Sequence, residues 1–142
     1  MTNKTNWEAI KQKKEELLSE LPQELKTEYW ECAGIYGIYI EDHLVYIGES
    51  SNVLQRWVAH KINTFFDFNQ KDYKEEKYMI LREAYNMGFR IESKLIEKCS
   101  NNKRELKERE RYYIEQSKPI LNGGRNNFVY YKGKEFLESL RG

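Results

Sequence analysis

Gly34-Ile35-Tyr36-Gly37-Ile38-Tyr39-Ile40, then Glu41-Asp42-His43, then Leu44-Val45-Tyr46-Ile47: this stretch decides the fold. Two runs of β-branched and aromatic residues fill a pleated, half-buried surface, and the polar tripeptide between them suits a turn, so the stretch reads as a β-hairpin. One tyrosine of interest, Tyr36 or Tyr46, lies on each arm. Cross-strand tyrosines ordinarily pack, and they carry chemistry only where both hydroxyls reach one polar pocket. An odd number of loop residues, or a bulge, puts these two on the same face of the sheet.

Downstream the period changes from two to that of a helix. From Asn52 onward Leu54, Val58, Ile62 and Phe65 line one side, with Trp57 beside them. Asn52, Arg56 and His60 recur every fourth residue and form a polar stripe. At about 100° per residue, Arg56 lies roughly 200° around the helix from Leu54. A solvated helix face satisfies that spacing equally. Placed just after the hairpin, however, the stripe offers an arginine fork for two phosphate oxygens and a histidine able to exchange a proton near neutrality.

Further along, Asp72-Tyr73-Lys74-Glu75 caps another helix, which Gly88 ends, and Phe89 to Leu95 alternates like a half-buried strand. Asn102-Lys103-Arg104-Glu105 caps a helix that must stop before Pro119. On that helix Leu106, Tyr113, Ile114 and Ser117 mark an inward stripe, and Glu110 falls in its middle. A carboxylate on an apolar face is costly unless compensated. A hard cation such as Mg²⁺, which often takes only one or two carboxylates, is one compensation; a buried arginine or tyrosine hydroxyl is another.

Upstream of the hairpin, Thr5-Asn6-Trp7-Glu8 fits a capping box for a helix with Trp7, Ile10, Leu17, Leu18 and Leu21 on one side, and Pro22 stops it. The tail from Leu121 holds a Gly/Asn loop, an aromatic run from Phe128 to Tyr131 and a final helical turn or two. The order α-β-β-α-α-β-α places the chain in the α+β class.

At 142 residues the chain is one domain's worth, and two isolated cysteines, Cys32 and Cys99, are too few for a disulfide framework and match no zinc spacing. No apolar run is long enough for a membrane helix, and the early charges of the amino terminus exclude a secretion signal. A reduced, cytoplasmic protein is the expectation. Net charge is only +1, but the basic surplus gathers in residues 101–142, a distribution met both by phosphate-facing surfaces and by solvated helices.

Gly34-Ile35-Tyr36 and Tyr46-Ile47-Gly48, followed in order by Ser50, Asn52, Arg56, His60, Glu110 and Asn122, resemble the GIY-YIG endonuclease family over about residues 33–126. Arg56 follows Tyr46 by ten positions, His60 by fourteen, and Asn122 follows Glu110 by twelve. The resemblance implies an α+β fold with a small three-stranded antiparallel sheet flanked by helices. It divides the chain into an N-terminal helical appendage (1–31), a nuclease domain (32–126) and a C-terminal extension packed on that domain (127–142). It implies hydrolysis of phosphodiester bonds in DNA with one Mg²⁺ (or Mn²⁺) per site, held by Glu110, with Tyr36, Tyr46, Arg56, His60 and Glu110 as the catalytic set. His60 then relays a proton or holds the phosphate. Substrate contacts fall to Ser50, Asn52, Lys61 and Asn122, with Asn126 as the alternative to Asn122. No small-molecule cofactor or membrane is implied; a homodimer would serve double-strand cleavage.

A tyrosine with its usual pKa near 10 is a poor base at neutral pH, so Arg56 and the metal are expected to lower it. One departure stands out: Glu49 follows Tyr46-Ile47-Gly48, where an acid repels DNA unless it points away or pairs with Lys61. This departure and the balanced charge motivate the alternative, a weak or inactive nucleic-acid-binding module on the same fold.

Overall fold

The computed structural model describes residues 2–20, 31–66, 75–122 and 129–141, with side chains from residue 7 onward. Their elements run α1 (Thr2–Ser19), β1 (Gly34–Ile40), β2 (His43–Ser50), α2 (Val53–Phe65), α3 (Glu76–Asn86), β3 (Ile91–Lys98), α4 (Lys103–Ser117) and α5 (Val129–Arg141). The strands form one antiparallel sheet in the order β2-β1-β3. This is the α+β architecture with the expected three-stranded sheet and added N-terminal helix.

The hairpin turn is tighter than expected. Only Glu41 and Asp42 form it, both with positive φ (47° and 70°), the backbone of a two-residue hairpin turn with the strands' own twist. His43 already belongs to β2. An even loop by itself would set Tyr36 and Tyr46 on opposite faces. The register, however, pairs Ile38 with Tyr46 but Tyr39 with Leu44, so Val45 is a bulged residue. Beyond the bulge Tyr36 pairs with Gly48, and Tyr36 and Tyr46 share a face.

The helices cover the sheet from both sides. Tyr36, Ile38 and Ile40 of β1 point into a core with Val53 of α2, Tyr78, Ile80, Leu81 and Ala84 of α3, and Val129 and Leu137 of α5. Ile35 and Ile47 point the other way, onto Leu106 of α4. Gly133 lets α5 approach α3 closely, since a Cβ there would sit 2.6 Å from Ile80. The tail is thus a full helix inside the main core, more than the last turns the sequence indicates.

Boundaries differ in physically ordinary ways. Asn102 caps α4 as expected, accepting from the Glu105 backbone N–H, and Asn52, read from the sequence as the start of the helical period, caps α2 by accepting from the Gln55 N–H. Gly88 ends α3 at φ 86°, a conformation costly for any side chain. Helix α1 begins at Thr2, ahead of the capping box at Thr5; Ile10 packs on Val58 and Ile62 of α2, while Trp7 stays exposed. β3 starts at Ile91 rather than Phe89. Ser117, expected inward, is exposed near the end of α4. Leu21, Pro22, Asp72 and Phe128 lie outside the described residues.

Candidate active site

Gly48 explains how the two tripeptides meet. A Cβ built there would lie 2.3 Å from the Tyr36 hydroxyl and 2.4 Å from its Cζ. The Tyr36 ring therefore lies against the bare backbone of β2, and any side chain at 48 would evict it. The rings of Tyr36 and Tyr46 stand 6.4 Å apart, and the His60 ring lies 5.4 Å from the first and 5.8 Å from the second.

His60 does not lie on a solvated face. It is 3% exposed, turned from α2 into the core. Its Nε2 is 2.6 Å from the Tyr36 hydroxyl and its Nδ1 2.6 Å from the Tyr78 hydroxyl. Burial, reinforced by Arg56 and Lys77 nearby, holds its pKa well below the ordinary value, so the ring is neutral. Both ring nitrogens are thus engaged by phenols. Arg56 remains at the surface, its guanidinium beside Tyr36.

Burial pushes the Tyr36 hydroxyl well above the usual tyrosine range, and Tyr46 adds to this; Arg56 opposes both without prevailing. The expected lowering of its pKa by cations is therefore not found in the free protein, because desolvation outweighs one guanidinium. Tyr46 is half-buried. Lys77, on α3, stands over its ring at 4.7 Å and donates to its hydroxyl at 3.4 Å. Tyr46, Lys77, Glu75 and Asn122 line a cavity of about 500 Å³.

Asn122 extends the edge of β2. Its Oδ1 accepts from the Ile47 N–H at 2.7 Å, its Nδ2 donates to the Ile47 carbonyl at 2.8 Å, and Leu121 N–H reaches Val45 O. Both polar atoms are thus engaged in bracing the strand that carries Tyr46. Ser50 and Asn52 are similarly engaged in the β2–α2 turn: Ser50 Oγ donates to Asn52 O and accepts from Asn52 N–H. Lys61 lies over the Trp57 ring at 5.0 Å and lines a different groove, with Leu17, Phe65 and Tyr85. Asn126 falls outside the described residues.

The opposite face carries the acid. Glu49, one residue past Gly48, points toward α4 and pairs with Lys107 at 3.0 Å, not with Lys61. Glu110 is half-buried beside it; burial raises its carboxyl pKa, Lys107 opposes, and Glu49 acts both ways, its charge raising the pKa and its backbone hydrogen bond to the carboxyl lowering it. Lys107 is within electrostatic reach of Glu110, Glu49 and Tyr46, which joins the two halves of the site. Helix α4 is held to β3 by Arg109, which donates twice to Glu97 at 2.9 and 2.7 Å, and by Tyr113, which donates to the same carboxylate at 2.7 Å.

No group of three or more His, Cys, Asp or Glu side chains among the described residues is placed to hold a metal. That donor set fits a hydrated Mg²⁺ or Mn²⁺, which needs only one or two carboxylates. Glu110 and the adjacent Glu49, which here pairs with Lys107, would be the carboxylates to supply them. It does not fit a tetrahedral zinc site.

Lys77, Tyr78, Asn63 and Lys107 were not legible in advance. Tyr78 sits on the apolar side of α3 with Leu81, where a packing ring has the same pattern, and a single lysine at a helix start carries no signal.

A family model described as the GIY-YIG catalytic domain matches residues 32–126. Among solved structures, a mutant of bacteriophage T4 EndoII overlaps with a TM-score of 0.49 at 23% sequence identity, covering 62% of this chain and 71% of that one. No curated protein matches the chain.

Proposed function

Because the chain belongs to the GIY-YIG family, whose model spans its hairpin, α2 and α4, a family of nucleases, we propose that it is an endonuclease hydrolysing phosphodiester bonds in DNA with one divalent cation per site. The observation that carries this reading is the convergence at the end of β2: Gly48 admits Tyr36 on one face, and Glu49 abuts Glu110 on the other. Consecutive residues of β2 thus touch the phenol on one face and the carboxylate on the other, which supports the reading of a site at this edge of the sheet.

In this reading Glu110, with Glu49 beside it, holds Mg²⁺ or Mn²⁺. Held there, such a cation would supply positive charge against the phosphate in the transition state and would make a coordinated water more acidic. Arg56, exposed at the mouth, grips the phosphate oxygens and shares that charge. Tyr36 enters as a neutral hydroxyl, because burial keeps it protonated. Tyr46, in the open cavity with Lys77 on its ring, is better placed to meet the attacking water and pass its proton on. His60 orients Tyr36 from behind. Asn122, Ser50 and Asn52 act by bracing β2 and the start of α2, and Lys61 lies over the Trp57 ring in a groove that Tyr46, Lys77 and Asn122 do not line.

The chain then divides into an N-terminal appendage (1–31) that carries α1, a catalytic unit (32–126) and a C-terminal extension (127–142) whose α5 completes the core. Among the described residues no helix is long and apolar enough to cross a membrane, in keeping with a cytoplasmic enzyme. One site cuts one strand, so double-strand cleavage calls for a second copy or for repeated action of one.

The test is nicking of supercoiled plasmid with Mg²⁺ or Mn²⁺ by wild type, Arg56→Ala and Glu110→Ala. Metal-dependent nicking by wild type alone is expected. Salt-sensitive DNA binding by all three, with no cleavage, would instead favour a binding module.

A further inference from the structure

Glu49 is the acid that the sequence pattern leaves unexplained, and its partner comes from α4. The Glu49 side chain is only 17% exposed, while that of Lys107, paired with it at 3.0 Å, is 52% exposed. A carboxylate so withdrawn from water is costly without a counter-charge. The Glu110 carboxyl meets the Glu49 backbone N–H, so two acids share the end of β2. Lys107 stands three residues before Glu110 on α4, a spacing that makes the two neighbours on the helix surface. One ammonium thus pairs with one carboxylate and lies within electrostatic reach of the other.

The neighbouring cations are committed elsewhere. Arg109 grips Glu97 with two hydrogen bonds from one guanidinium, at 2.9 and 2.7 Å, and Lys77 lies on the other face, over the Tyr46 ring. The ion pairs that Lys107 and Arg109 of α4 make with the sheet differ in strength. A forked arginine fixes its acid, whereas a single ammonium on a flexible, half-exposed stem makes a weak contact that salt screens. Glu97 is locked; Glu49 is held loosely.

A loosely held ammonium balances the charge of the acids and yields to a competitor of higher charge, because a lysine and a divalent cation seek the same oxygens. We propose that Lys107 is the resident counter-ion of the Glu49–Glu110 pair: it holds Glu49 in the free protein, opens that ion pair as a divalent cation binds, and so sets the cation concentration at which the site fills. This rests on the endonuclease reading, which assigns the cation to those carboxylates.

The experiment is a Mn²⁺ titration of the full chain without DNA, followed by the loss of the free ion's paramagnetic resonance signal. Wild type is compared with Lys107→Met, Lys107→Gln, Glu110→Gln and, as a control on the same helix, Lys103→Met. Both Lys107 variants should bind Mn²⁺ about five- to tenfold tighter than wild type, the effect of removing one unit charge from beside a divalent ion in water. That gain should shrink as salt rises. Lys103→Met should stay within about twofold of wild type, since it breaks no such pair, and Glu110→Gln should lose the site. Lys107→Gln, polar like the lysine, keeps the measurement available should Lys107→Met fold poorly. Equal or weaker Mn²⁺ binding by the Lys107 variants overturns the proposal and leaves the endonuclease reading intact. Mn²⁺ binding that survives Glu110→Gln unchanged counts against the cation site itself, and with it against the lysine's part.

Discussion

The two faces of the sheet solve the same problem by opposite means. On the α2/α3 face, Tyr36, His60 and Tyr78 are buried, neutral and linked end to end by hydrogen bonds. On the α4 face, Glu97, Arg109, Tyr113, Glu49 and Lys107 are charged or charge-paired and partly open to water. Burial sets protonation on the first face; on the second, pairing sets it for Glu97 and Arg109, and burial again raises Glu110. The contrast shows which half of the site tolerates change. A network of buried neutral groups fails when one member loses its partner, whereas exposed ion pairs lose little individually.

The largest expected effect lies where the faces meet. Glu110→Gln should lower plasmid cleavage by at least about 10³-fold, since it removes the carboxylate proposed for the cation. Its thermal unfolding temperature should hold or rise, because burial already disfavours the ionised carboxyl. A loss of cleavage with an equally large loss of stability would make Glu110 structural.

Gly48→Ala should come next. Its new Cβ would collide with a Tyr36 ring that is itself held by His60. Cleavage should fall about 100-fold and stability by about 1–3 kcal/mol, the usual penalty of overpacking. Denaturant unfolding and nicking assays read the two separately.

The charged face should respond to acid in its own window. Arg109 first, then Tyr113, holds the Glu97 carboxyl down to about 2, against an ordinary 4.5. A depressed carboxylate stabilises the fold fully above 4.5 and loses that contribution as pH falls toward 2. Glu97→Gln should cost about 1–2 kcal/mol at pH 7, discounted for exposure, and should flatten the acid limb of the stability profile. The neutral face titrates earlier. His60 has its pKa lowered from 6.5, so only the unfolded chain takes up the proton and stability declines as pH drops below about 6.5. His60→Gln should remove that decline.

The smallest effects separate two lysines. Lys77→Met should slow cleavage about tenfold, because it strips the cation from the Tyr46 ring. Lys61→Ala should change it less than twofold, since Lys61 lies on Trp57 in another groove. Equal effects would erase the distinction between the two positions.

How much of this the sequence revealed follows the same division. The helix cap at Asn102, the helix start near Asn52, the hairpin and the helix carrying Glu110 are local features, written in spacing and capping chemistry. The bulge at Val45 is not: it depends on how two strands settle over a core, and it decides that Tyr36 and Tyr46 share a face. His60 misled for a related reason. Its four-residue spacing from Arg56 matches a polar stripe, yet the ring turns inward because Tyr36 and Tyr78 await it from β1 and α3. Glu49 found Lys107 rather than Lys61 because residue 49 points to the face opposite that of Gly48, a matter of strand parity that the sequence fixes only once the register is known.

The central claim is that the two faces converge on one cation at the end of β2. Paramagnetic broadening by Mn²⁺ in the intact protein, bound to a non-cleavable phosphorothioate duplex, tests it directly. Broadening centred on Glu110 and Glu49 that also reaches Tyr46 and Arg56, and that vanishes in Glu110→Gln, is the predicted result. Broadening confined to the outer surface of α4, or unchanged by that substitution, would contradict it.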